Sequence, residues 1–294
     1  MMKYKLLTFL LIAITTVAMA QKNDKPAYRL FTAEGKSINY GKMLKELQEA
    51  EVILFGEQHN DPIAHWLQLE VARDLHRENP QKFALGAEMF EADVQLVLNE
   101  YLAGQAPEKN FEQEARPWPN YATDYRPVVR FAKEQQIPFI ATNVPRRYAA
   151  MVSGGGLAAL EGVSAEGKRY IAPLPVTVDM ELPGYKSMMS MFGNSTHRNT
   201  KSINIVQAQA LKDATMAHFI LGQVGQGRQV LHLNGAYHSD NFEGIGWYLK
   251  QLRPQVKTRT ITTVLQADLE DLSEENKCKA DFILVVPESM TRTY

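Results

Sequence analysis

The chain has 294 residues, of which 45% are hydrophobic, and its formal net charge at pH 7 is −1. Because acidic and basic residues balance, the sequence lacks the basic excess of proteins that bind nucleic acid or anionic lipid. Cys278 is the only cysteine, which excludes an intrachain disulfide, so the fold must be held by its hydrophobic core.

The first twenty residues have the pattern of a cleaved signal peptide. Lys3 and Lys5 precede an apolar run over residues 6–17, and the small-residue motif AMA ends at Ala20. The run is too short for an ordinary transmembrane span, and no later segment offers roughly 18 uncharged apolar residues. We therefore expect an exported protein, periplasmic or secreted, whose mature chain begins at Gln21. Retention of the segment as an uncleaved anchor is the alternative.

Strand and helix patterns alternate along most of the remaining chain. Short continuous apolar runs predict buried strands, and apolar residues at helical spacing predict the helices between them. This alternation is typical of βαβ units, so we expect an α/β fold with a mostly parallel central sheet flanked by helices. Strands are predicted within residues 28–40 and at 51–55, 83–87, 137–142, 229–233, 258–264 and 282–286. Helices are predicted at 41–49, 63–79, 92–103, 127–136, 204–222 and 245–252.

The alternation stops after Arg146. Glycines at 154–156 predict a flexible joint rather than a phosphate-binding loop, because the lysine of such a loop is missing. Residues 157–201 are rich in Met, Gly, Pro and Ser, with patchy helical spacing. We therefore expect a single domain, residues 21–294, with a largely helical insertion at about 153–203 that lies over the sheet.

Polar side chains follow several of the predicted strands, at the point where each strand ends. Glu57 and His59 follow the strand at 51–55, Glu88 follows the next strand, and His238 follows the strand at 229–233. Because an open parallel sheet binds ligands at the carboxyl ends of its strands, we expect these four side chains to converge on one pocket.

These residue types are suited to acid–base or metal chemistry. Glu57 and His59 are two residues apart, so in an extended turn their side chains lie on the same side. Glu88 can orient a histidine, and His59 and His238 can act as bases. Glu57, His59 and His238 are also candidate ligands of a divalent metal. The alternative for each residue is a helix cap, an ion-pair partner or a solvated group.

Other histidines and aromatic residues are weaker candidates. His65, His76 and His218 fall within predicted helices, where we expect surface or capped side chains. His232 alternates with apolar neighbours in a strand, which indicates a hydrogen-bonded core histidine. Residues 117–125, with two prolines, a tryptophan and two tyrosines, are interpreted as a packed loop over the sheet edge.

Five segments of the chain form a characteristic set, GEQHNDPIAH (56–65), GAEMFEADVQ (86–95), ATNVPRRY (141–148), QAQALKDATMAHFI (207–220) and LNGAYHSDNFEGI (233–245). In this order they resemble the ChaN-like, iron-regulated haem-binding proteins. The resemblance covers about residues 50–250 and extends to a superfamily that includes erythromycin esterases, Tiki proteins and TraB proteins. These share a GExH-like turn, a later glutamate and a second histidine turn.

The resemblance implies an exported haem-binding protein of iron acquisition, with haem near the helical insertion and in a homodimer. An outer-membrane haem-uptake system is the partner it implies. Many members carry a lipid anchor, whereas this sequence has no cysteine at the cleavage site, so we expect soluble periplasmic or secreted behaviour. By resemblance to a tyrosine ligand with a neighbouring histidine, Tyr185 and His197 are the hypothesised haem-binding pair. The methionines at 188, 189 and 191 either bind iron or pack the insertion.

Two functions therefore stand at this point. In the first, the protein binds haem and hands it on without turnover. In the second, Glu57, His59, Glu88 and His238 activate a water, with or without a divalent metal, and hydrolyse an ester or peptide. The strand-end residues fit hydrolysis at least as well as haem binding, and the family resemblance favours haem.

Overall fold

The computed structural model describes residues 25–191 and 200–294, so the predicted signal peptide and His197 lie outside the described residues. The strands of the described part agree with the predicted ones to within a few residues. The exception is the strand predicted at 83–87, which continues to Glu91. They are β1 (Arg29–Thr32), β2 (Ser37–Ile38), β3 (Val52–Glu57), β4 (Phe83–Glu91), β5 (Phe139–Asn143), β6 (Gln229–Gly235), β7 (Thr258–Gln266) and β8 (Phe282–Pro287).

All eight strands form one sheet in the order β2-β1-β8-β7-β3-β6-β4-β5. Strands β3 to β8 pair in parallel, whereas β1 pairs antiparallel with β8 and with β2 at one edge. The mostly parallel α/β fold is thereby confirmed. β3, β6 and β4 are adjacent at the centre of the sheet, so the segments that follow them leave its carboxyl edge side by side.

The helices begin where local hydrogen-bonding groups favour a start. The Asp61 side chain accepts from the Ala64 backbone N–H at the start of α2, where Pro62 needs no amide partner. No helix of the described residues is long and apolar enough to cross a membrane. The helices are α1 (Tyr40–Gln48), α2 (Pro62–Glu78), α3 (Gln95–Leu102), α4 (Glu108–Glu114), α5 (Arg126–Gln135), α6 (Arg146–Gly155), α7 (Ala165–Lys168), α8 (Pro183–Met191), α9 (Thr200–Val224) and α10 (Ile245–Leu252).

Helices cover both faces of the sheet. Alternate residues of a strand point to opposite faces, so Ile53 and Phe55 of β3 pack with α1, α2, α3 and α5. Val52 and Leu54 pack on the other face with α9 and α10. Because both faces are covered, the central strands are buried along their whole length, which explains their continuous apolar sequence.

The insertion consists of short helices and one irregular segment, and it packs on α6, α9 and α10. It contains a short 3₁₀ turn, α7 and α8, and residues 171–182 have no regular helix or strand. The prediction of a flexible glycine joint is wrong, because Gly154 and Gly155 form the last turn of α6. Gly156 ends that helix with a φ of 71°, and a Cβ there would lie 2.9 Å from the Gln207 Oε1 atom.

Candidate functional site

The site lies where β3, β6 and β4 end. Glu57 pairs with Gly235 in the parallel register of β3 and β6, so the ends of these strands are level. Glu88 lies in β4, at an irregularity where its register with β5 shifts between Ala87 and Glu91. Such an irregularity turns side chains away from strict alternation, and here it leaves the Glu88 carboxylate directed at β6.

Glu57 is a buried carboxylate with three hydrogen-bond donors. The Gln68 amide donates to it at 2.6 Å, the Tyr125 hydroxyl donates to the other oxygen, and the His59 Nδ1 atom lies 3.0 Å away. Burial alone raises the pKa of Glu57, but the nearby His65 ring and these hydrogen bonds outweigh burial and lower the pKa. Glu57 is therefore an anion, and both of its carboxylate oxygens are hydrogen-bonded to neighbouring side chains.

His59 is the most accessible member of the site, with 41% of its side chain exposed. Its ring meets the Trp118 ring edge-on, with the centroids 4.8 Å apart. Burial lowers the pKa of His59, but the hydrogen bond to Glu57 and the charge of Glu88 raise the pKa by more than burial lowers it, so the net shift is upward. Because Nδ1 faces Glu57, Nε2 is the ring atom available for proton transfer.

Gly235 permits this placement of His59. A Cβ atom at this position would lie 2.6 Å from the His59 Cε1 atom, 2.9 Å from Nε2 and 3.5 Å from the Glu88 Oε2 atom. The Gly235 backbone N–H also donates to Glu88 at 2.8 Å. The glycine therefore lets the imidazole and the Glu88 carboxylate approach the same stretch of β6.

His238 lies between two buried carboxylates. Its Nε2 atom is 3.2 Å from Glu88 and its Nδ1 atom is 2.5 Å from Asp213. Burial disfavours the charged ring, but the charges of Glu88 and Asp213 outweigh it and raise the pKa of His238 to about 10. His238 is therefore an imidazolium at neutral pH, and its charge lowers the pKa of Glu88 despite burial of that carboxyl.

The four predicted site residues, Glu57, His59, Glu88 and His238, are thus brought together at one edge of the sheet. The three residues hypothesised to bind a metal, Glu57, His59 and His238, are not arranged like the ligands around a metal ion. Glu57 and His59 face each other, and both ring nitrogens of His238 are hydrogen-bonded to carboxylates. Within residues 25–191 and 200–294, no group of three or more His, Cys, Asp or Glu side chains is placed to hold a metal ion.

Tyr185 is 3% exposed, and its hydroxyl donates to the Asp213 Oδ2 atom at 2.8 Å. Burial and the Asp213 charge raise the pKa of Tyr185, which disfavours the phenolate that binds ferric iron. The iron-ligand role of Tyr185 stays a prediction, and this placement counts against it. His197, its hypothesised partner, lies outside the described residues.

The other histidines follow the predictions less uniformly. The expectation of a surface or capped His65 is wrong, because the first turn of α2 faces the sheet. His65 is 5% exposed, and its Nδ1 atom lies 3.1 Å from the Gln68 Oε1 atom. His232 is a satisfied core histidine, as predicted, bonded to Thr142 and Asn234. His76 and His218 lie on helices outside the site.

Several residues that complete the site were not predicted. Gln209 and Asp213 of α9 are four residues apart and both face His238. Polar residues on an otherwise apolar, buried helix face were the signal that could have identified them. Tyr125 was predicted to pack in a loop, but residues 121–125 form a π-helical turn that directs its hydroxyl at Glu57.

A cavity of about 480 Å³ adjoins the site, and we call it the strand-end cavity. Glu88 and Gln209 line it, so it opens directly beside the His238 network. One part of its wall is apolar and another is cationic. The apolar wall consists of Met89, Trp118, Val144, Met188 and Ile205, and the cations are Arg146 and Lys212.

Comparison with known proteins identifies the family. A family model described as haem-binding uptake, Tiki superfamily, ChaN matches residues 43–249. The chain belongs to this family. A structure described as cofacial haem binding to ChaN of Campylobacter jejuni has the same fold, with a TM-score of 0.67 and 19% identity, over 88% of this chain and 96% of that chain.

Two further similarities are more distant. The chain is 23% identical over 291 residues to Protein RETICULATA-RELATED 5, chloroplastic, of Arabidopsis thaliana, which covers 90% of this chain and 38% of that protein. It therefore spans less than half the length of this curated relative. A structure of an erythromycin esterase mutant in its open conformation is 13% identical, with a TM-score of 0.45, over 89% of this chain and 84% of that chain.

Proposed function

We propose that this protein is an exported haem-binding protein that takes part in haem and iron acquisition, and that haem binds in the strand-end cavity. Membership of the ChaN family supports haem as the ligand. The signal-peptide pattern before Gln21 supports export to the periplasm or the exterior. A homodimer and transfer of haem to or from an outer-membrane uptake system belong to the same proposal.

The amphipathic wall of the strand-end cavity is the observation that carries the proposal. Its volume of about 480 Å³ falls within the roughly 300–1,000 Å³ of cofactor sites, which are mostly apolar with a few placed polar groups. Met89, Trp118 and Met188 offer apolar and aromatic surface to a macrocycle. The Asn143 Oδ1 atom is buried with no hydrogen-bond partner among the described residues, as expected of a wall that meets a polar ligand group. Haem, when bound, would supply a redox-active iron.

The test is a haemin titration of the mature protein, followed by the Soret band. Ala150→Trp places a large ring into the cavity from the exposed face of α6, and we expect it to weaken binding at least tenfold. Ala158→Trp is the matched control, because Ala158 is exposed and does not line the cavity. No saturable change in the wild type contradicts haem binding, and equal affinity of the two variants contradicts the cavity.

A second candidate function, hydrolysis of an ester or peptide, is favoured by the arrangement around His59. Glu57 orients the accessible imidazole, and Glu88 lies beside it. In such a reaction His59 takes a proton from water, the oxygen of that water adds to the acyl carbon, and the proton passes to the leaving group as its bond breaks. The hydrogen bond to Glu57 and the charge of Glu88 raise the pKa of His59, which favours uptake of the proton from water by this ring.

Hydrolysis is tested with a panel of chromogenic esters and peptides, with and without a chelator. We expect His59→Gln to lose at least a hundredfold in kcat/KM if the site is hydrolytic, because general acid–base groups contribute about 10²–10⁴-fold. His218→Gln is the matched control, a histidine on α9 outside the site. Equal activity of the wild type and His59→Gln removes this candidate, and a loss on chelation shows that a divalent metal takes part.

A further inference from the structure

We propose that a second pocket, formed where residues 172–177 cross α9 and α10, binds a neutral molecule that has a single aromatic ring and one hydroxyl group. We call it the arch pocket. This inference goes beyond the proposed haem binding, because the arch pocket and the strand-end cavity share no lining residue. The walls of the arch pocket include Pro173, Pro175, Ala214, His218, Trp247 and Gln251.

The segment that covers the arch pocket is fixed at both of its ends. The Ala172 backbone N–H donates to the Thr215 hydroxyl at 3.1 Å, and the Tyr248 hydroxyl donates to the Thr177 carbonyl at 2.6 Å. The residues between these two points include two prolines, whose rings fix φ and which have no backbone N–H to satisfy. Because the segment is already ordered, a ligand that enters pays little for ordering it, so the pocket is preorganised.

The volume of the arch pocket, about 200 Å³, limits the size of its ligand. An apolar protein cavity of about 150 Å³ holds benzene, so the arch pocket has room for one six-membered ring with a small substituent. The Trp247 indole and the two prolines give such a ring a flat apolar surface to pack against. A porphyrin is too large for this space, so the ligand of the arch pocket is a different molecule from the proposed haem.

The charge of the wall limits the ligand further. Among the described residues that line the arch pocket there is no Asp, Glu, Lys or Arg, in contrast to the strand-end cavity. A charged ligand would lose hydration in this pocket without gaining an ion pair, which is strongly unfavourable. The arch pocket therefore selects neutral molecules.

Three polar side chains of the wall have hydrogen-bonding groups that no neighbour uses. The side chains of His218, Trp247 and Gln251 form no hydrogen bond with any residue in the ranges 25–191 and 200–294. Burial lowers the pKa of the half-buried His218, so its ring is neutral at neutral pH and keeps one nitrogen as an acceptor. A ligand hydroxyl can donate to that nitrogen while the ligand ring packs on Trp247.

The experiment follows the indole N–H signals of the three tryptophans by heteronuclear NMR while probes are added to the mature chain. Phenol has the proposed chemistry, toluene lacks the hydroxyl, benzoate is charged, and naphthol has a second ring. Trp247→Phe identifies the signal of the arch pocket. Trp118→Phe identifies the signal of the strand-end cavity, which Trp118 lines. The Trp66 signal should stay constant in every variant below, which shows that the fold is kept.

We expect phenol to shift the Trp247 signal saturably and to bind about threefold to tenfold more tightly than toluene, because one net hydrogen bond contributes a factor of this size. Benzoate and naphthol should bind at least tenfold more weakly than phenol. His218→Phe keeps a ring but removes both nitrogens, so phenol and toluene should bind this variant equally. His76→Phe is the matched control, because His76 is a partly buried histidine on α2, outside the arch pocket.

A second pair of variants tests the location of the ligand without altering the core. Thr177 is exposed and lines the arch pocket, so Thr177→Trp places a large ring at its opening and should weaken phenol binding at least tenfold. Leu174→Trp is the matched control, because Leu174 is exposed on the same segment and does not line the pocket.

The outcomes are independent of the haemin titration, so this inference and the proposed function can fail separately. The arch pocket is refuted as a ligand site if phenol does not shift the Trp247 signal, if it shifts the Trp118 signal instead, or if Thr177→Trp and Leu174→Trp bind it equally. Recognition of the hydroxyl is refuted if the preference for phenol over toluene survives in His218→Phe. A Trp247 signal that shifts with protein concentration alone shows that a second copy of the chain fills the pocket, which overturns the proposal of a small-molecule ligand.

Discussion

Replacement of Tyr185 by phenylalanine separates two roles for this tyrosine. The substitution removes only the hydroxyl, whose hydrogen bond goes to Asp213 at 2.8 Å, and keeps the buried ring in the core with α9 and α10. A hydrogen bond to a charged group contributes about 1.5–3 kcal/mol. Because Asp213 keeps its contact with His238, we expect a loss near the lower end, about 1.5–2 kcal/mol.

The assay combines thermal and denaturant unfolding with haemin titration. A loss of this size lowers the melting temperature by roughly 3–8 °C, since about 2–4 °C correspond to 1 kcal/mol in a chain of this size. Haem affinity and the Soret position should stay as in the wild type. Tyr101→Phe is the matched control, because the buried Tyr101 donates to Glu108 at 2.9 Å. A shifted Soret band or lost haem binding in Tyr185→Phe alone refutes this reasoning and makes Tyr185 an iron ligand.

Three further predictions concern the buried network. Gly235→Ala places a methyl group 2.6 Å from the His59 Cε1 atom, so the ring should move away from Glu88 at a cost below about 1.5 kcal/mol; an unchanged imidazole NMR signal contradicts this. His238→Gln leaves Glu88 and Asp213 buried without a cation and should cost about 3–5 kcal/mol in urea unfolding, with a loss below 1 kcal/mol as the contrary result. The raised pKa of His238, about 10, contributes stability that is complete below pH 6.5 and is lost as the pH rises from there through 10. The lowered pKa of Glu88 contributes stability that is lost only in acid, below the ordinary pKa of 4.5 for this group. Stability against pH should therefore be highest between about pH 4.5 and pH 6.5 and should decline steadily above that range. Its alkaline decline should be smaller in His238→Gln, and an identical decline contradicts the assignment.

The strands could be predicted because burial on both faces leaves a direct trace in sequence. β3 and β8 are nearly continuous apolar runs, and β6 is apolar except for polar residues that are themselves mostly buried. The predicted bounds of these strands differ from the observed ones by no more than a few residues. β4 was predicted to end at Ala87 but continues to Glu91, past the shift in its register with β5. Such an irregularity depends on pairing with neighbouring strands, which a single-strand pattern does not contain.

The convergence of Glu57, His59, Glu88 and His238 was also predictable, because parallel strands deliver their carboxyl ends to one edge. Their hydrogen-bond partners were not, since these come from distant elements. Asp213 lies on a helix that follows the insertion. His65 was expected at the surface because its position in a helix is visible in the sequence, whereas the face that α2 turns to the sheet is set by tertiary packing.

The distribution of charge distinguishes side chains that stabilise the fold from side chains that are accessible to a ligand. Glu88, His238 and Asp213 satisfy one another in the interior, so altering any of them changes stability and function together. His59 is instead partly exposed beside that network, and the adjoining strand-end cavity is lined by apolar side chains and by Arg146 and Lys212. Because the hydrolytic proposal depends on His59 and the haem-binding proposal depends on the strand-end cavity, His59→Gln and Ala150→Trp should act independently. If both His59→Gln and Ala150→Trp reduce haem binding, this edge of the sheet carries one composite site, whereas independent effects mean that it carries two.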